Sequence, residues 1–152
     1  LINNAGIFND RDISIGEMNA QLFQTCFSVN SIAPVLLTQA LMDSLKRAHQ
    51  AKVIMVTSFL GSLKENTDGQ FYIYRASKAA LNAASKALAL DLEPEDITVL
   101  MINPGWVQTD LGGEGAWITT DQSVDDMQKV IETTSLENTG QFRNHDGSII
   151  AW

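Results

Sequence analysis

Tyr74 and Lys78 stand four residues apart in Tyr74-Arg75-Ala76-Ser77-Lys78, at the head of an alanine-rich helical pattern. Residues at i and i+4 share a helix face. A fixed ammonium beside a phenol favours the phenolate, because opposite charge stabilises the ionised form. An unperturbed Tyr titrates near pH ~10, so the pairing points to proton exchange nearer neutrality, as acid–base catalysis requires. The competing reading is an ordinary exposed aromatic–lysine pair. Tyr72 is the rival phenol, but it lies nearly on the opposite face and has Ala76 rather than a base at i+4. What surrounds the pair has to decide.

Two other polar residues are placed where they can serve it. Ser58 follows a β-branched run, so its hydroxyl is expected at a strand end, able to anchor a carbonyl or position the Tyr74 hydroxyl. Asn30 sits in mid-helix, where Asn is a mediocre helix former, and Pro34 follows four residues later. Proline has no N–H, so the Asn30 carbonyl loses its intrahelical partner and the helix should kink there. A freed carbonyl needs a donor, and an ordered water near Lys78 would make a proton relay. The plainer alternatives are a loop serine and an incidental Asn at a proline kink.

The elements that must position these groups alternate along the chain. Leu1 to Asn4 reads as a strand end and Ala5 to Asn19 as a polar loop. Apolar residues at three- and four-residue spacing predict one long helix over Ala20–Ala48. Lys52 to Thr57 fits a buried strand, Ser58 to Gln70 a loop, and Phe71 to Glu93 a second long helix that Pro94 stops. Ile97 to Ile102 is the next strand, ended by Asn103-Pro104-Gly105, and Trp106 to Thr120 is irregular and glycine-containing. Asp121 or Ser123 is expected to cap a helix running to about Leu136. Gly140–Asn144 and Ser148–Ala151 are short extended pieces around an Asp146-Gly147 turn. This order predicts an α/β fold with a parallel sheet and crossover helices. In such sheets ligands sit beyond the carboxyl ends of the strands, where Asn4-Ala5-Gly6, Ser58 and Pro104-Gly105 converge.

Composition narrows the function classes. The 152 residues suffice for one domain, and 45% hydrophobic with 18% charged residues is a globular profile. The net charge of −8 argues against non-specific binding of nucleic acid or anionic membranes. Two histidines and one cysteine give no zinc spacing, so no metal is expected. Cys26 alone allows no internal disulfide and suits a reducing, cytoplasmic compartment. No apolar run is expected to reach bilayer-spanning length, and the first residues lack the pattern of a signal peptide. Gly112-Gly113-Glu114-Gly115 lacks the G-x-G-x-x-G spacing, so no phosphate-binding glycine loop is present. The opening Leu1-Ile2-Asn3-Asn4-Ala5-Gly6 looks like the end of a strand whose beginning lies outside the chain.

Taken together, Asn3-Asn4-Ala5-Gly6, Asn30, Ser58, Tyr74-x-x-x-Lys78 and Pro104-Gly105-Trp106-Val107-Gln108-Thr109 resemble the short-chain dehydrogenase/reductase family. The five motifs occur in the family's order and span essentially the whole chain. Asn66-Thr67-Asp68-Gly69, the Tyr-Arg-x-Ser-Lys form and the Gly-Trp-Val-x-Thr-Asp run look like the sniffer- and C-factor-type carbonyl reductases within it, and the Asp146-Gly147 turn and Trp152 suit that subgroup.

The resemblance implies the C-terminal part of a Rossmann-type, doubly wound parallel sheet. It implies Tyr74 as the acid that protonates a carbonyl during hydride transfer. Lys78 would lower the Tyr74 pKa and bind the nicotinamide ribose, Ser58 would position the carbonyl, and Asn30 would hold the water relay. Asn4, Ala5 and Gly6 would lie along the cofactor, with Pro104, Gly105 and Val107 at the nicotinamide amide and Thr109 nearby. The loop from Gly105 to Thr120, with Trp106 and Trp117, would close over the substrate. The subgroup implies NADP, with NAD as the alternative, a small carbonyl substrate, and a homodimer or tetramer formed through helices 20–48 and 71–93 at full length. The family's N-terminal Thr-Gly-x-x-x-Gly-x-Gly motif and first three strands are not in these residues, so the chain is expected to be a partial domain. A non-catalytic protein built on the same fold, whether a truncated isoform or an interaction or signalling module, is the alternative. A sugar-nucleotide epimerase of the extended branch fits the Trp106 region less well.

Overall fold

Four short strands form one parallel sheet whose spatial order follows the chain, β1-β2-β3-β4. The computed structural model describes residues 1–152. Strand β1 is Ile2–Asn3, β2 Lys52–Val56, β3 Thr98–Asn103 and β4 Gln141–Asn144. Helices α1 (Ala20–Phe27), α2 (Ala33–Ala40) and α3 (Met42–Arg47) connect β1 to β2. Helix α4 (Tyr72–Leu92) connects β2 to β3, and α5 (Thr120–Thr133) connects β3 to β4. The expected α/β architecture is therefore present.

Strand alternation divides the core between the two sheet faces. Val53, Met55, Val99 and Met101 pack with Leu45, Leu81, Ala89 and Leu92 under α3 and α4. Ile54, Val56, Leu100 and Ile102 pack with Val130 of α5 on the other face. Both faces are covered, which is why β2 and β3 are continuous apolar runs. The C-terminal segment turns at Asp146-Gly147 and comes back against β4, with Ile149 bridging Arg143 and Ile150 N–H donating to Phe142 O at 2.9 Å.

Three local expectations are corrected. The helix predicted over Ala20–Ala48 is not continuous: Ser28–Ile32 forms a π turn, and Leu41 separates α2 from α3. The break begins before Pro34, in the turn that carries Asn30, whose side-chain amide bonds Ile7. Second, Ala20–Ala40 is long and apolar enough to cross a bilayer by length and composition, contrary to expectation. That stretch buries Cys26, Asn30, Ser31 and Thr38 in the fold, and Ser31 and Asn30 both bond to Ser77 of α4. Third, the cap of α5 is Thr119, whose side chain accepts from Gln122 N–H at 3.2 Å, rather than Asp121 or Ser123. Ser123 is buried and donates to Pro104 O at 2.7 Å instead, and α5 ends at Thr133, ahead of a separate 3₁₀ turn at Leu136–Asn138.

Candidate active site

Tyr74 and Lys78 lie in the first two turns of α4, both nearly fully buried, facing the carboxyl end of β2. The Lys78 ammonium donates to Val56 O at 3.0 Å and stands 5.8 Å from the centroid of the Tyr74 ring. Burial acts on both groups in the direction that removes charge. It raises the Tyr74 phenol from 10.0 to about 12, against the opposing influence of the Ser58 hydroxyl, which favours the phenolate. It lowers the Lys78 ammonium from 10.5 to about 8. The expectation that Lys78 draws the phenol toward neutrality is thus not met in the protein by itself: desolvation is the largest influence on Tyr74. At neutral pH the Tyr74 phenol keeps its proton.

Ser58 is where the strand-end argument put it, directly after β2 and Thr57. Its hydroxyl accepts from Leu60 N–H at 3.1 Å, capping the turn Phe59–Gly61, while remaining near enough to the phenol to bias its ionisation. Asn103, at the end of β3, holds this turn from the side. Its Oδ1 accepts from Phe59 N–H at 3.0 Å and its Nδ2 donates to Asn144 Oδ1 at 2.7 Å.

Asn30 is fully buried in the π turn and grips the loop after β1 with both ends of its amide. Oδ1 accepts from Ile7 N–H at 2.8 Å, and Nδ2 donates to Ile7 O at 2.9 Å, imitating a strand partner. Nδ2 also reaches Ser77 Oγ at 3.0 Å, and Ser77 in turn donates to Tyr74 O at 2.8 Å. Gly6 is held in between: a methyl group there would lie 3.4 Å from Lys78 Nζ and 3.5 Å from Asn30 Oδ1. Asn30, Gly6, Ser58, Tyr74 and Lys78 are therefore one cluster, while Asn4 and Ala5 are exposed on the rim beside it.

At the end of β3, Pro104 and Gly105 turn the chain outward. Gly105 has φ +84°, and a Cβ there would strike Ile118 and the His145 ring. His145 is paired through Nδ1 with Asp126 Oδ2 at 3.3 Å. The following loop closes on itself, with Val107 bridging Ile118 and Gln108 N–H donating to Ile118 O at 2.8 Å. Thr109 is exposed and its hydroxyl serves that loop, accepting from Gly112 N–H at 3.0 Å. Trp106 and Trp117 meet edge to face at 5.0 Å and keep much of their surface in solvent. No group of three His, Cys, Asp or Glu side chains converges here or elsewhere.

Sequence reasoning missed three contributors. Asp10 is buried and caps α4, accepting from Ile73 N–H at 2.7 Å and Tyr74 N–H at 3.3 Å. Phe8 stacks on the Tyr74 ring at 4.3 Å. Asn103 braces the Ser58 turn. None carries a local signal, since each acts across 44 or more residues of sequence. The Asp68 carboxylate, in the loop before α4, pairs with Arg75 Nη2 at 2.7 Å.

The cluster follows the strand ends in an order that sequence comparison can test. The short chain dehydrogenase profile matches residues 1–116. This chain belongs to the short chain dehydrogenase family. C-signal of Myxococcus xanthus is 38% identical over 152 residues, covering all of this chain and 91% of that protein. The structure of the carbonyl reductase Sniffer of D. melanogaster superposes with a TM-score of 0.95 at 35% identity, covering 99% of this chain and 65% of that one. The NADPH-bound carbonyl reductase from chicken fatty liver gives a TM-score of 0.92 at 35% identity, covering 99% and 64% respectively. The chain thus spans under two thirds of both carbonyl reductases.

Proposed function

We propose that this chain carries the catalytic part of an NADP-dependent carbonyl reductase. The observation that carries the reading is the burial of Tyr74 and Lys78 in one cluster with Ser58 and Asn30, at the carboxyl ends of the strands. Tyr74 gives its proton to the substrate oxygen, and the burial that raises its pKa keeps that proton in place at neutral pH. Ser58 orients the carbonyl from the end of β2. Lys78 supplies positive charge to the phenolate left behind; only one of its three protons is engaged, at Val56 O. The others suit ribose hydroxyls, and glycine at position 6 keeps the space beside the ammonium open. Bound NADPH would supply the hydride. NADP rather than NAD is favoured by the NADPH-bound relative. Asn30, at the π turn before Pro34, is assigned the ordered water that links Lys78 to solvent.

Asn4, Ala5, Pro104, Gly105, Val107 and Thr109 are assigned to the cofactor's nicotinamide side. Its phosphates need a glycine-rich strand–turn–helix that these 152 residues do not contain, so that part is assigned to residues outside this sequence. Exposed Ile32 of the π turn, Leu36 and Leu37 of α2 and Leu90 of α4 are the surface through which two full-length copies would pair. Buried, unpaired Cys26 suits a cytoplasmic setting.

A second reading is favoured by C-signal, which this chain covers almost end to end: a non-catalytic interaction or signalling protein on the same fold. The two separate in one experiment. NADPH is titrated by fluorescence into this chain and into a version joined to a glycine-rich N-terminal half, and its oxidation by an aromatic dicarbonyl is followed. Turnover by the joined version alone is the expected result. Cofactor binding without turnover of any carbonyl would sink the catalytic reading.

A further inference from the structure

The geometry points to Asp10, together with Phe8, as a positioning residue that sets where Tyr74 holds its phenol. This rests on Tyr74 being the proton donor. Helix α4 begins without a cap of its own. Gly69, Gln70 and Phe71 all have left-handed backbones, with φ of +71°, +61° and +50°, and the Phe71 side chain caps nothing. Two of these are non-glycine residues in a conformation that costs energy and persists only where the surroundings enforce it. The missing cap comes from the loop after β1. Asp10, 2% exposed, accepts from the amides of Ile73 and Tyr74, the second and third residues of the helix.

The same loop reaches the Tyr74 side chain. The Phe8 ring lies nearly parallel to that of Tyr74 and meets Phe71 edge-on at 5.1 Å. Arg11 lies over the Phe8 ring, 4.9 Å from its centroid, and donates to Leu111 O in the loop after β3. Three residues within one four-residue stretch, Phe8, Asp10 and Arg11, therefore tie the backbone of Tyr74, its ring and the tryptophan-bearing loop to one another. A carboxylate in this place also has an electrostatic consequence. The ionisable groups bearing on the phenol are Lys78 on its own helix, Cys26 on α1 and Asp10 on the β1 loop, with the neutral Ser58 hydroxyl at β2. Arg75 is turned to Asp68 and Arg11 to Phe8. Asp10 is thus the one acidic carboxylate among them, and its charge disfavours the phenolate.

The test is Asp10→Asn, which keeps the shape and removes the charge, beside Asp10→Ala, which removes both. Amide hydrogen exchange at Ile73 and Tyr74 in this chain should quicken roughly tenfold or more in either variant, as a charge-assisted bond is lost, while exchange at Ile54 and Leu100 stays as it was. In the joined version, the alkaline-activated limb of alcohol oxidation should move to lower pH in Asp10→Asn, with kcat reduced and the affinity for NADPH within twofold of the parent. Unchanged exchange at both amides would overturn the proposal whether or not the protein turns over. An unmoved pH limb with parental kcat would overturn it as well. Retained turnover in Tyr74→Phe would instead count against Tyr74 as the donor and leave the exchange result standing on its own.

Discussion

Phe8 lies flat on Tyr74, with ring centroids 4.3 Å apart and planes 18° from parallel. Stacked pairs of this kind contribute about 0.5–1.5 kcal/mol beyond the area they bury. Phe8→Leu should therefore lower the unfolding free energy by about 1 kcal/mol in urea titration. It should also release the Tyr74 ring, visible as movement of its aromatic NMR resonances away from their ring-current-shifted positions. Wild-type shifts in the variant would mean that the ring is held from elsewhere.

Tyr74→Phe removes the phenol hydroxyl and little else. Loss of a positioned general acid costs on the order of 10²–10⁴ in rate, so carbonyl turnover by the joined protein should fall by at least that range. NADPH affinity, read from fluorescence titration, should change less than threefold. A parallel loss of binding would assign the hydroxyl to architecture.

The opposed shifts of the buried pair give a pH dependence with a definite sign. Lys78 is lowered from 10.5 to about 8. The unfolded chain therefore binds this proton more tightly, and stability rises with pH across that interval, by on the order of 3 kcal/mol at most. Tyr74 is raised from 10.0 to about 12, so its contribution is present below pH 10 and lost as pH climbs through 12. Only the Lys78 effect operates between pH 8 and 10. Lys78→Met should be more stable than the parent at pH 7, and the gap in urea midpoints should narrow steadily from pH 8 to 10. A gap that is flat with pH would show that Lys78 is not desolvated.

Gly105 and Gly147 both have positive φ, but only Gly105 faces a wall. A Cβ at Gly147 would lie 3.6 Å from Val130, an ordinary contact, whereas at Gly105 it would collide with Ile118 and His145. Gly147→Ala should cost about 1 kcal/mol for its backbone alone, and Gly105→Ala roughly 1–3 kcal/mol more. Thermal melting of the two variants side by side reads the difference. Equal losses would mean that the loop after β3 gives way freely.

What could be read from the sequence was whatever is carried by short spacing. Tyr74 and Lys78 are four residues apart, Ser58 abuts the run Val53–Val56, and Pro104-Gly105 closes another apolar run; periodicity places each of these. The π turn was not legible, because Pro34 explains a kink but not the two-ended grip of Asn30 on Ile7, whose partner is 23 residues away. Nor was the electrostatics of the pair. Spacing brings an ammonium near a phenol, but the balance against desolvation depends on how completely the surrounding elements cover both. Asp121 and Ser123 looked like caps by residue type; Thr119 took that place, and Ser123 went to Pro104, because the chain leaving the β3 loop arrives in extended form at Thr119.

The start of α4 has a consequence for how the molecule assembles. The body of that helix is local in origin, rich in alanine and able to propagate once begun. Its first turn is not: the acceptor for Ile73 N–H lies 63 residues earlier in the chain. A peptide of residues 70–93 cut from the protein should therefore be helical in its middle and frayed at the end that bears Tyr74. The cap can form only after a large loop has closed. The phenol thus comes to rest late, when the strand-end loops have already met, and an incompletely folded chain holds no organised Tyr74.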